Sequence, residues 1–228
     1  MTSHTPKALI VGAGDGLSAS LARLLAREGY TLELVARDTD KLAALQAETK
    51  ARVHRCDASD PTAVATLFDA IDGTIDVCVY NPSYRIRGPI IDLDPREVGK
   101  TLDITAFGAF LVGQQAARRM LAVGRGTILF TGASASVKGY ANSAPFAMAK
   151  FAVRGLAQSM ARELHPHGVH IGHVVIDGGI RSSRRPDASG RDAMLDPDAI
   201  AQTYLDLIRQ PRSNWSWEIE VRPWIETF

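Results

Sequence analysis

The 228-residue chain is 46% hydrophobic and 22% charged, with a formal net charge of +1. That length buries a substantial core in one globular domain, and the near-neutral balance argues against nucleic acid or a charged membrane surface as partner. The apolar runs are strand-length, far short of the roughly 20 residues that span a bilayer, so no membrane segment is expected.

Segments with strand and helix character alternate from end to end. Residues 7–11, 31–36, 52–56, 75–80, 126–131, 169–176 and 217–221 are short, aliphatic or β-branched, and bounded by turn residues. Residues 16–28, 39–50, 61–71, 95–123, 144–165 and 197–209 carry helical spacing and good helix formers. Such alternation predicts an α/β fold, a doubly wound seven-stranded parallel sheet with helices on both faces, formed as a single domain over 1–228.

Between the first strand and the first helix stands Gly12-Ala-Gly14-Asp-Gly16-Leu17-Ser18. Glycines let the backbone turn tightly against a pyrophosphate, and the helix N-terminus behind them offers unpaired amides. Gly12, Gly14, Gly16 and Leu17 are therefore candidate phosphate contacts; the alternative is a glycine turn that binds nothing. The second strand ends Ala36-Arg37-Asp38, and a guanidinium suits a phosphate, although Arg37 and Asp38 also suit an ordinary surface pair. Asp57 closes the third strand as a nucleotide contact or a helix cap. Cys56 and Cys78 are too few for a disulfide framework, and Cys78 reads as a buried core thiol in a reducing, cytoplasmic setting; no secretory signal is visible in MTSHTPK.

Further on come Asn81-Pro82-Ser83, then Asp103-Ile-Thr105, then Thr131-Gly-Ala133-Ser134, then Phe146-x-x-x-Lys150, and finally Asp177-Gly178-Gly-Ile180-Arg-Ser182. Residues i and i+4 share a helix face, so Phe146 and Lys150 project together. In this order the motifs resemble the short-chain dehydrogenase/reductase family over essentially the whole chain. The resemblance implies a Rossmann fold, NADP(H) in preference to NAD(H), and hydride transfer between nicotinamide and a carbonyl or alcohol. It implies that Asp57 contacts adenine, Asn81 borders the ribose, Lys150 holds the nicotinamide ribose, and Gly178, Ile180 and Ser182 meet the carboxamide. It also implies a homodimer or homotetramer through the long central helices.

The departures concentrate at the same places. Phe146 stands where the family has its catalytic tyrosine, Ala133 where it has serine, Ser18 for the third glycine, Pro82 within the Asn-Asn-Ala-Gly segment, Thr105 for asparagine and Asp177 for proline. A phenylalanine donates no proton, and general acid–base help is typically worth about 10²–10⁴-fold. Candidate replacements are Ser134 and Tyr140, with Ser143 and Tyr84 behind them; each also reads as a loop or capping residue. If none substitutes, the chain is an inactive NADP(H)-binding sensor or assembly partner. His165, His167, His170 and His173 crowd one stretch, but His170 and His173 point to opposite strand faces, so no metal site is expected. The polar stretch 178–196 reads as a mobile substrate loop.

Overall fold

The computed structural model describes residues 4–182, 185–188, 190 and 192–226. Strands β1 (Lys7–Val11), β2 (Thr31–Ala36), β3 (Arg52–Arg55), β4 (Val77–Tyr80), β5 (Gly126–Thr131), β6 (Val169–Ile176) and β7 (Glu218–Val221) form one parallel sheet in the order β3-β2-β1-β4-β5-β6-β7. All four residues of β4 and all eight of β6 are buried, as strands covered on both faces must be. One face carries α1 (Leu17–Arg27), α2 (Ala43–Thr49) and α7 (Pro197–Ile208), whose Leu21, Leu25, Leu45 and Tyr204 pack on Ile10, Leu34 and Val174. The other carries α3 (Pro61–Asp69), α4 (Pro95–Leu102), α5 (Gly108–Leu121) and α6 (Ala144–Leu164), with Val64, Val112, Met120 and Ala157 over Leu9, Ile128 and Phe130. Strand order reverses between β1 and β4, which opens a crevice at the carboxyl end of the sheet.

Local chemistry explains most boundaries. Helices α3, α4 and α7 start with Asp60, Asp94 and Asp196, each carboxylate accepting from first-turn amides ahead of a proline. The expected helix over 95–123 is interrupted by a π-helical stretch at Asp103–Phe107. Here the Ile104 carbonyl accepts the buried Tyr80 hydroxyl at 2.5 Å. Only glycine fits at 108, where a β-carbon would lie 2.3 Å from that hydroxyl and 2.8 Å from the Ala58 carbonyl. The third strand ends at Arg55 rather than 56, and the fourth and seventh start at Val77 and Glu218. Cys56 and Cys78 are buried free thiols, and burial pushes Cys78 up to about 12. No helix among the described residues is long and apolar enough to cross a membrane.

In the stretch 178–196, the two ends pair with each other: Arg181 N–H donates to the Leu195 carbonyl and Leu195 N–H to the Gly179 carbonyl. On α6, Met148 is half exposed, whereas Met160 packs on the core.

Candidate active site

Two clefts open at the carboxyl edge of the sheet and share Asn81 and Ser83. The first, of about 370 Å³, is lined by Gly12, Arg37, Lys41, Asp57, Ala58 and Asn81 among others. Its floor is the glycine turn. Gly12 has φ +81° and presses on Pro82, where a β-carbon would come within 2.7 Å of the proline nitrogen. A β-carbon on Gly14 or Gly16 would meet nothing within 4 Å, so the space above the turn is open. Helix α1 behind it has neither a side-chain cap nor an acidic residue in its first turn, unlike the aspartate-capped α3, α4 and α7. An uncapped helix N-terminus facing open space suits a pyrophosphate.

Ser18 is 3% exposed and faces inward. Its hydroxyl donates to the Gly12 carbonyl at 3.0 Å and accepts from Asn81 Nδ2 at 2.7 Å, while Asn81 N–H donates to the Val11 carbonyl. The hydroxyl thus stitches the turn to the end of β4 and is not turned toward a phosphate. Arg37 borders the same cleft. Asp38 pairs with Lys41 at 2.7 Å, not with Arg37, and the Arg37 guanidinium has no carboxylate ion pair among the described residues. Asp57 accepts from the backbone and hydroxyl of Ser59, whose hydrogen bonds hold its carboxyl below the usual range despite burial; the cap of α3 is Asp60, which corrects the capping alternative for Asp57.

The second cleft, of about 330 Å³, contains Ala133, Ser134, Tyr140, Phe146, Lys150, Gly178 and Ile180, together with Arg85 and Arg185. Lys150 is fully enclosed, its Nζ donating to the Thr131 carbonyl at 2.7 Å, and burial lowers its pKa to about 8. Phe146, 8% exposed, is flanked by two cations: Arg85 lies 4.8 Å from the ring centroid and Lys150 5.8 Å. The serine expected to substitute for Ala133 is differently engaged. Ser134 hydrogen-bonds to Asp177, and Ser136 Oγ accepts from the Ala133 amide.

Asp177, the residue without an evident reason in the sequence, proves to be a hub. It is 2% exposed, and its Oδ2 lies 3.0 Å from Lys138 Nζ and 3.2 Å from Arg222. Burial pushes the carboxyl up, but the hydrogen bonds from Ser134 and Lys138 and the Lys138 and Arg222 charges outweigh it and hold the pKa below the usual value. The loop after β5, the end of β6 and the segment after β7 are pinned together there.

Of the other candidates, Tyr84 is committed elsewhere: its hydroxyl donates to Glu97 and its amide to Thr105 Oγ1. Thr105 therefore holds the loop after β4. Ser143 precedes α6, yet its hydroxyl makes no capping bond and is buried without a partner. Ser182 lines a separate depression and its hydroxyl accepts from the Arg185 amide, so Gly178 and Ile180 reach the cleft with Lys150 and Ser182 does not. Tyr140 is 46% exposed and lines the cleft. The histidines disperse: His165 engages the Ile171 backbone, His170 stacks on Trp215, and His173 bonds Glu218. No group of three or more metal-ligating side chains occurs among the described residues. Only the fold brings position 185 to the loop after β4; the local signals in the sequence are the alternation Arg85-x-Arg87 and the arginine-rich loop after Ile180, which permits an anionic substrate or equally a solvated loop.

The glycine turn, uncapped helix and buried lysine suit a nicotinamide dinucleotide. A family model described as short chain dehydrogenase matches residues 6–188. The cis-4-hydroxycyclohexanecarboxylate dehydrogenase of Sinomonas cyclohexanicum is 33% identical over 175 residues, covering 73% of this chain and 70% of that protein. Among solved structures, a short-chain dehydrogenase from Rhodopseudomonas palustris superposes with a TM-score of 0.86 at 34% identity, covering 97% of this chain and all of the other. A metagenomic short-chain oxidoreductase in complex with NADP gives a TM-score of 0.85 at 28% identity, covering 97% of this chain and 98% of the other. The chain belongs to the short-chain dehydrogenase family, a family of nicotinamide-dependent oxidoreductases.

Proposed function

We propose that the chain is an NADP(H)-dependent oxidoreductase acting on a small carbonyl or alcohol substrate, with Tyr140 as its proton donor in place of the usual tyrosine. The observation that carries this reading is the junction of the two clefts at Asn81 and Ser83, with the enclosed Lys150 on the far side and the open glycine turn on the near side. Gly12, Gly14, Gly16 and Leu17 with the N-terminus of α1 would hold the pyrophosphate, and Arg37, which has no carboxylate ion pair among the described residues, the adenosine phosphate. Asp57 would border the adenine, Lys150 would hold the nicotinamide ribose, and Gly178 and Ile180 would flank the carboxamide; Ser182 enters only if its turn rearranges. When bound, the cofactor supplies or accepts the hydride.

The chain's own groups handle the proton. Ser134 is held by Asp177, so its part is to fix that loop; Tyr140 lines the cleft and interacts electrostatically with Lys138. The solved NADP complex of a relative favours the phosphorylated cofactor, as does Arg37.

NADPH and NADH fluorescence titrations test the cofactor assignment: tighter NADPH binding that Arg37→Asp reverses is expected, and no binding of either at millimolar level overturns it. Tyr140→Phe should lower kcat of NADPH-linked carbonyl reduction by about 10²-fold with cofactor affinity unchanged. A specific observation favours a second reading, an NADP(H)-binding sensor: Phe146 and Ala133 offer no proton at the family's two catalytic positions. Wild-type protein that binds NADPH but reduces nothing, while Ala133→Ser/Phe146→Tyr does reduce carbonyls, would establish that reading.

We also infer a homo-oligomer. Phe107 and Phe110 of the central helix, stacked 6.3 Å apart, and Met148 and Phe151 of α6 leave apolar surface about half exposed. A cytoplasmic setting belongs with the same proposal.

A further inference from the structure

We propose that the substrate carries an anionic group, a carboxylate or a phosphate, and that Arg85, Arg87 and Arg185 receive it at the mouth of the cleft; the inference rests on the oxidoreductase reading above. The Lys150 chamber widens outward into a space of about 640 Å³ bounded by all three arginines, Tyr140, Ser143 and Gly179. Arg85, Ser134, Tyr140, Gly178 and Arg185 border both compartments, so one molecule spans from Lys150 to the mouth.

Three cations near this cleft, none of them in its wall, are paired. Lys138 and Arg222 converge on Asp177, and Arg181 reaches Asp196 at 2.5 Å. The three arginines at the mouth break that pattern, for none makes an ion pair with a carboxylate among the described residues. Partial burial lowers the Arg85 pKa, and repulsion from Arg87 and Arg185 adds to the effect. Gathering three like charges at one concave mouth is unfavourable without a counter-ion, and a planar guanidinium is matched in shape by a carboxylate or phosphate. Ser143, whose hydroxyl is buried with no partner among the described residues, borders the same space. An oxyanion there would neutralise the cluster.

Placed so, the anion sets the orientation. Its charge sits among the arginines while the carbonyl carbon reaches the apolar floor at Phe146, beside Lys150 and Tyr140. Arg85 belongs to both ends, resting on the Phe146 ring while bordering the mouth.

The test is calorimetry on the NADP⁺-loaded protein with two matched pairs: levulinate against methyl levulinate, and dihydroxyacetone phosphate against dihydroxyacetone. NADPH consumption with each is followed in parallel. At least one anion should bind about tenfold or more tighter than its neutral partner, with the preference shrinking as salt rises from about 0.05 to 0.5 M. The pair that shows the preference tells carboxylate from phosphate. Arg87→Gln, which borders only the mouth, should shrink the preference without weakening the neutral compound, and Arg85→Gln/Arg185→Gln should remove the preference; these side chains are solvent-exposed, and an unchanged thermal transition confirms the fold. Equal binding within both pairs, no anion binding at all, or a preference that survives both variants overturns the proposal. If neutral ketones are reduced without anion preference, the oxidoreductase reading stands alone. Arginine-dependent anion binding without any reduction leaves the anion site and removes the oxidoreductase.

Discussion

Replacing Ser18 with alanine removes a hydroxyl that donates to the Gly12 carbonyl at 3.0 Å and accepts from Asn81 Nδ2 at 2.7 Å. Each such bond contributes about 1 kcal/mol net, and a partner left buried without a replacement costs somewhat more. Asn81 is only half-buried and regains water in part, while alanine is the better helix former by about 0.5 kcal/mol. The balance is a loss of about 1.5–2 kcal/mol, which in a chain of this size lowers Tm by about 3–8 °C. Urea denaturation of wild type, Ser18→Ala, Asn81→Ala and the double variant isolates the bond between the two side chains, expected at about 1 kcal/mol of coupling. The functional consequence follows from position: Gly12 forms the floor under the proposed pyrophosphate, so a loosened turn should weaken NADPH binding several-fold. A coupling energy below about 0.3 kcal/mol would refute the stitch between the glycine turn and β4. So would a Ser18→Gly variant as stable as wild type, since glycine loses both bonds and about 0.5 kcal/mol of helix propensity besides.

Lys150 makes a pH prediction. Burial holds its pKa near 8 against an ordinary 10.5, so between those values the unfolded chain binds more protons than the folded one, and stability rises with pH across that window. Lys150→Met should flatten that rise and stabilise the protein at neutral pH by about 2 kcal/mol, roughly 3 kcal/mol of relieved desolvation less about 1 for the lost bond to the Thr131 carbonyl, read as a shifted urea midpoint; an unchanged pH profile counts against an enclosed lysine. Asp177 behaves oppositely, because its folded pKa is depressed: its contribution is present above the unfolded carboxylate value and lost as pH falls through the folded one. Asp177→Asn should cost about 2 kcal/mol at pH 7, after discounting the partly exposed Lys138, and nothing once the carboxylate is protonated in acid. Finally, Met148→Glu/Phe151→Glu should shift the protein to a smaller species in light scattering after gel filtration; a monomeric wild type would refute the apolar face as an interface.

The alternation of aliphatic strands with amphipathic helices carried the fold, because burial on both faces of a parallel sheet leaves a continuous apolar run that local sequence displays. Boundaries shifted by one or two residues, and the π-helical break at Asp103–Phe107 was invisible because it depends on Tyr80 arriving from another strand. At the site, the glycine turn and the Phe146/Lys150 pair were legible for a similar reason: each is a local spacing whose geometry follows from one turn or one helix face. Ser134 looked like a vacant hydroxyl beside Ala133, and nothing nearby in sequence says that Asp177, forty-three positions on, already engages it.

What the sequence determined by itself was therefore everything set by short-range periodicity and backbone freedom: the strand order's raw material, the phosphate turn, the lysine on its helix, and the missing proton donors. Only the tertiary structure decided which polar groups are already spent and which stay free. Ser18 is used by Gly12 and Asn81, and Asp177 by Ser134, Lys138 and Arg222, whereas Arg37 and the Arg85, Arg87 and Arg185 cluster have no carboxylate of the described residues to pair with. Hydrogen bonding and ion pairing are settled by distances between loops remote in sequence, so the charge at the mouth of the cleft exists as a cluster only once the sheet has brought those loops together.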